Sequence, residues 1–181
     1  HGSFANYFNS KQRIKTAKNF SEEADPYTLS EWITGIRSEK FSLKNLPYRY
    51  EYISKNIIND SKSTNSSSLK YALNKADSDF NGRDFILIVC GDPKKENYPE
   101  LHISNPLQVL IFGKHSDELL KCIFHKNIKV FSDLESVIDY LSLIKDVGIL
   151  FSPGFPSGLD FNDFEERGSH FNHLLEEKNH E

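Results

Sequence analysis

From Tyr48 onward, short uninterrupted apolar runs alternate with stretches whose apolar residues recur at helical spacing. Phe85-Ile86-Leu87-Ile88-Val89-Cys90 has no polar break, the pattern of a strand covered on both faces. Residues 107–112 read as another such run, ended by Gly113; Ile128-Lys129-Val130-Phe131 reads as a shorter strand and residues 147–151 as the last one. Tyr50, Tyr52 and Ile53, then Ile57-Ile58, predict two short strands joined by a turn at Ser54-Lys55-Asn56. Between these runs the spacing predicts helices. Leu69, Ala72, Leu73 and Ala76 line one face of 66–76, and Leu134, Val137, Ile138, Leu141 and Ile144 one face of 134–144. Residues 117–124 and 161–177 read the same way. The expected fold class is α/β and Rossmann-like: a mostly parallel sheet with helices on both faces. Right-handed crossovers would gather the loops 60–65, 91–96, 113–117 and 152–160 along one sheet edge.

Residues 1–40 differ. They are rich in Lys, Asn, Ser and Glu and lack sustained alternation. His1-Gly2-Ser3 reads as a tag remnant, and the missing initiating Met suggests a sequence that begins inside a longer protein. Asp25-Pro26 predicts a helix start, because Asp accepts orphan N–H groups and Pro fits the first helical position. Leu29, Trp32, Ile33 and Ile36 would line that helix, packed on the main domain or a neighbour. The expected division is a linker with a short helix over 1–40 and one domain over 41–181.

Composition narrows the function classes. A net charge of -4 and a pI near 6.0 argue against general nucleic-acid binding. No apolar run approaches the ~20 residues of a membrane span, so neither nucleic acid nor membrane is an expected partner. The 2 cysteines, Cys90 and Cys122, read as buried free thiols of a reducing compartment, and the cytoplasm is the expected location.

The densest chemistry lies in Asp60-Ser61-Lys62-Ser63-Thr64-Asn65, between a strand end and a helix start. There, free N–H groups and the helix dipole favour an anion, and Asp60, Lys62 and Thr64 add an acceptor, a cation and a hydroxyl. Gly91-Asp92-Pro93-Lys94-Lys95 follows the strongest strand, where Gly permits close backbone approach and Lys reaches an anion. Other signals carry less. Gly113-Lys114-His115 lacks the rest of a phosphate-binding loop. His170 and His173, at helical spacing, are expected to lack an acidic or third ligand and read as surface residues. Glu165-Glu166 suit a helix start and need no acid–base role.

Three stretches in register also resemble a known family. Asp60–Asn65 is similar to the DSKxTN signature of the C-terminal domain of the Mur ligases that add D-glutamate. Leu46-Pro47-Tyr48-Arg49 is similar to LPHR, with Tyr48 in place of His. Ser152-Pro153-Gly154-Phe155-Pro156-Ser157-Gly158-Leu159-Asp160-Phe161, followed by Phe164-Glu165-Glu166-Arg167-Gly168, resembles the closing SPxxxSxxxFxxFExRG motif. The resemblance covers roughly residue 41 to the end. Phe155 and Pro156 replace smaller residues of the family, and Cys90 replaces the first Gly of GGDxK.

The resemblance implies an ATP-dependent amide-forming ligase acting in peptidoglycan synthesis. ATP and Mg2+ would activate the carboxylate of UDP-N-acetylmuramoyl-L-alanine as an acyl phosphate, and the D-glutamate amine would attack it. It also implies roles: Lys62, Thr64, Lys94, Ser157, Gly158 and Phe164 around D-glutamate, and Tyr48, Arg49 and Asp60 on the nucleotide side. Lys95 could replace Lys94 if the loop is shifted. The family's P-loop and Mg2+-holding residues belong to a central domain that nothing here matches, so these residues alone are expected to be inactive. The alternative is a non-catalytic α/β module that binds a phosphate-bearing ligand or a protein partner. A flavodoxin-like interaction domain is a third reading.

Overall fold

The computed structural model describes residues 4–13, 25–36 and 46–179. The chain divides into two compact units, His1–Lys44 and Asn45–Glu181. In the first, α1 spans Phe4–Gln12 and α2 spans Pro26–Thr34. The Asp25 side chain caps α2 by accepting from Thr28 N at 2.8 Å, and Gly35 ends it in the left-handed conformation (φ 69). Trp32, Ile33 and Ile36 are exposed. The α1 helix has no clear apolar stripe, and periodicity alone did not predict it.

The second unit contains β1 (Glu51–Ser54), β2 (Ile57–Asn59), α3 (Ser66–Asp79), β3 (Phe85–Cys90), a 3-10 turn (Pro93–Glu96), β4 (Leu101–His102) and β5 (Gln108–Phe112). It continues through α4 (Ser116–Cys122), β6 (Ile123–Phe124), β7 (Ile128–Phe131), α5 (Leu134–Ser142), β8 (Gly148–Gly154) and α6 (Phe164–Asn179). Six strands form one sheet in the order β1-β2-β8-β3-β5-β7. Only β1 is antiparallel, in a hairpin with β2; the other pairs are parallel. A separate parallel pair, β4 and β6, makes a second small sheet.

The apolar run of β3 is split between two cores. Leu87 and Val89 face α3 and α4 in a cluster with Leu69, Ala76 and Leu119. Ile86, Ile88 and Cys90 face α5 and α6 with Val137, Leu141 and Phe171. With helices on both sides, a strand gains nothing from polar alternation. All six β3 residues are buried. The expected helix 117–124 stops at Cys122 instead, because Ile123 and Phe124 extend to pair with Leu101 and His102.

Candidate functional site

The parallel strands β2, β3, β5 and β8 end on one rim, and the loops beyond them are hydrogen-bonded to one another. Gly154 N donates to Ser63 O (3.0 Å), and Asp92 N donates to Pro156 O (2.9 Å). Ser66 N, at the start of α3, donates to the Glu96 carboxylate at 2.8 Å. Lys114 N donates to both carboxylate oxygens of Asp160, at 3.1 and 3.2 Å. The turns carrying Thr64, Lys94 and Ser157 therefore share one edge, held by direct loop-to-loop bonds.

Within the hexapeptide, side chains alternate between fold and rim. Asp60, Ser61 and Ser63 are buried, whereas Lys62 and Thr64 are half-buried. Asp60 accepts from Tyr50 N (3.0 Å) and from the Ser152 hydroxyl (2.8 Å), so both carboxylate oxygens are engaged by the fold. Ser61 donates to Phe164 O at 2.8 Å, fixing the start of α6. Asn65 caps α3 by accepting from Ser68 N at 2.8 Å.

Among the described residues, two cavities open on this rim. One, of about 390 Å³, is lined by Asp92, Lys94, Lys95, Tyr98, His115 and Gly158, among others. The other, of about 540 Å³, is lined by Tyr48, Arg49, Lys62, Phe164 and neighbours. The residues expected around one amino acid are thus divided: Lys94 and Gly158 line the first, Lys62 and Phe164 the second, and Thr64 and Ser157 line neither. The Lys62 ammonium sits 3.5 Å from the Phe164 ring centroid, a cation–π contact that accounts for both residues in the second cavity. Among the described residues the Lys94 ammonium has no acidic partner, and the Thr64 and Ser157 hydroxyls make no hydrogen bond.

Backbone strain is concentrated here. Tyr48 (φ 60) and Tyr50 (φ 50) lie in the left-handed region, which bulky residues rarely adopt. Tyr48 is held by its N–H on Glu51 Oε2 (3.0 Å) and by its carbonyl, which accepts from Lys62 N (2.8 Å). Its ring packs on α6, where a Cβ on Gly168 would come within 2.5 Å of it. In the first cavity, Gly158 (φ +72) lies against His115, whose Nε2 is buried without a partner among the described residues.

Burial pushes the Asp60 carboxyl up to about 6, against the opposing hydrogen bonds from Ser152 and Tyr50 and the charges of Arg49 and Lys75. Its unfolded value is near 3.9, so the folded state holds more protons between those values. This group therefore adds stability as pH falls from 7 to 5, by ~1 kcal/mol, with the gain complete below the unfolded value. Asp60→Asn should remove that component, which urea unfolding at pH 5 and pH 7.5 would reveal as a flatter dependence.

Sequence reading missed Arg167 as the anchor beneath the rim; it is fully buried. In sequence it stands only as the arginine of the closing motif, beside Gly168, with no structural role attached. The two thiols are free and buried, and burial raises the Cys90 value to about 11. His170, which looked isolated from acids in sequence, lies 2.7 Å from Glu135 of α5, and His173 pairs with Glu177 at 3.3 Å.

No family model matches the chain. It is 37% identical over 144 residues to the UDP-N-acetylmuramoylalanine–D-glutamate ligase of Petrotoga mobilis, covering 75% of this chain and 32% of that protein. The ligase of the same name from Buchnera aphidicola subsp. Baizongia pistaciae is 36% identical over 150 residues (76% and 33%). One from Prochlorococcus marinus is 38% identical over 158 residues (79% and 32%). The chain is homologous to part of these ligases. It spans about a third of the length of the relatives it matches. Among solved structures, a folylpolyglutamate synthase from Thermotoga maritima aligns with a TM-score of 0.43 at 15% identity, covering 61% of this chain and 28% of that one. No helix among the described residues is long and apolar enough to cross a membrane.

Proposed function

We propose that Asn45–Glu181 is the C-terminal domain of an ATP-dependent ligase that adds D-glutamate to UDP-N-acetylmuramoyl-L-alanine. The observation that carries this reading is the shared rim. Among the described residues, a lysine without an acidic partner (Lys94) and two hydroxyls without hydrogen bonds (Thr64 and Ser157) sit on loops bonded to one another. A dicarboxylate amino acid needs such a set, with one cation and several donors at fixed spacing.

In this reading Lys94 takes one carboxylate of D-glutamate, and Thr64, Ser157 and the backbone of Gly158 orient the rest. Their fixed placement aims the amine at its acceptor. The second cavity suits the edge of a nucleotide: Arg49 and Lys62 are cations, Tyr48 and Phe164 supply aromatic faces, and Asp60 acts from below by holding the turn. ATP, when bound, supplies the phosphoryl group that activates the acceptor carboxylate. Among the described residues no group of three or more His, Cys, Asp or Glu could hold a metal, so no role for Mg2+ is assigned to these side chains.

Calorimetric titration of the chain with D- and L-glutamate tests this reading. The D form should bind more tightly, because a site with fixed donors on three loops distinguishes the hand of a three-point ligand. Equal heats for the two enantiomers, or none for either, would reject the amino-acid site.

A further inference from the structure

Arg167 has the largest fully buried side chain of the described residues, with 0% exposure. Buried arginines are normally paired with an acid. This one has no acidic partner among the described residues, and all its acceptors are neutral. Nε donates to Ser61 Oγ (3.0 Å), Nη2 to Ser61 O (2.8 Å) and Nη1 to Phe155 O (3.1 Å), with Cys90 Sγ 3.8 Å from Nη1. Ser61 lies in the turn after β2, Phe155 in the loop after β8, and Cys90 at the end of β3. Each precedes a segment that carries a rim residue.

Apolar packing would hold a core at lower desolvation cost than a lone guanidinium. What apolar packing lacks is direction. A rigid fork of five donors fixes the distance and angle between the carbonyls it engages. The Ser61 hydroxyl accepts from Arg167 and donates to Phe164 O, so the fork also sets the start of α6. Two further bonds run across the same seam: Ser152 Oγ to Asp60 Oδ2 (2.8 Å) and Gly154 N to Ser63 O (3.0 Å).

We infer that Arg167 is a positioning residue that locks the 60–65 turn to the end of β8 and the loop that follows it (152–158) as one unit, so that the two sides of the rim open and close together. The consequence for D-glutamate rests on the function proposed above; the mechanical coupling does not.

Hydrogen exchange on the 181-residue chain separates the two. In Arg167→Met and Arg167→Lys, the amides of Ser63 and Gly154 should lose protection together, by tenfold or more. Amides of β5 should change no more than the global stability change requires. Leu141→Ala, a core truncation on α5, is the control: it should lower global stability without preferential loss at the two loops. If either variant fails to fold, the wild-type chain still decides, because Ser63 and Gly154 should exchange through one opening event with the same denaturant dependence. Loss of protection in one loop only, uniform loss across the sheet, or different denaturant dependences would overturn the inference. Joint loosening in a chain that shows no D-glutamate heat would leave the clamp standing and reject the ligand.

Discussion

Gly91→Ala is expected to destabilise the Asn45–Glu181 unit by at least ~3 kcal/mol, through positive-φ strain and a forced loop displacement. Gly91 has φ +103, which side chains rarely adopt, and an added Cβ would lie 2.1 Å from Pro156 O and 3.1 Å from Phe155 O. The obstacle is backbone rather than a flexible side chain, so relief requires moving the loop. That loop is anchored beside the same residue by Asp92 N on Pro156 O. The substitution should therefore shift Ser157 and Gly158 away from Lys94 and weaken ligand binding as well. Urea unfolding would show a lower midpoint at unchanged slope. A loss below about 0.5 kcal/mol, the ordinary range for surface changes, would mean that the loop does not pack on Gly91.

Lys94→Met should act in the opposite way, on affinity alone. Lys94 is exposed and its ammonium bonds to no described residue, so its removal should leave stability within about 0.5 kcal/mol. A hydrogen bond to a charged group contributes roughly 1.5–3 kcal/mol, which converts to about a 10- to 150-fold loss of D-glutamate affinity. Lys95 lines the same cavity and is the direct control. Lys95→Met should change affinity by less than about threefold, within the small effect of an exposed charge. If the two effects are reversed, the lysine one residue on is the ligand contact and the loop register is displaced by one.

Much of this architecture was legible because burial on both faces leaves a plain signature. The runs at 85–90 and 147–151 are apolar throughout, and the structure places them side by side at the centre of the sheet. The loops after them could then be assigned to one edge from crossover handedness alone. Elements whose origin is tertiary were not legible. Leu101–His102 and Ile123–Phe124 are two-residue strands that exist only because they meet. No local pattern distinguishes Ile123-Phe124 from one more helical turn.

The rim was legible in its loops, but the partition of its side chains was not. The residues of the hexapeptide all read as polar rim residues, yet Asp60 and Ser61 face inward and hold the turn. Lys62 and Phe164, read as neighbours of one amino acid, meet each other in the second cavity. Side-chain direction in a turn depends on what packs beneath it, and here that is Arg167. A single arginine in a helical pattern carries no mark of burial in the sequence.

The central claim is that the turns bearing Thr64, Lys94 and Ser157 form one amino-acid site. The most direct test is an amide NMR titration of the chain with D-glutamate. Saturable shifts confined to 62–66, 91–96 and 156–159, all with one dissociation constant, are the predicted result. Shifts in only one of these loops, shifts with different dissociation constants, or a silent rim would contradict it.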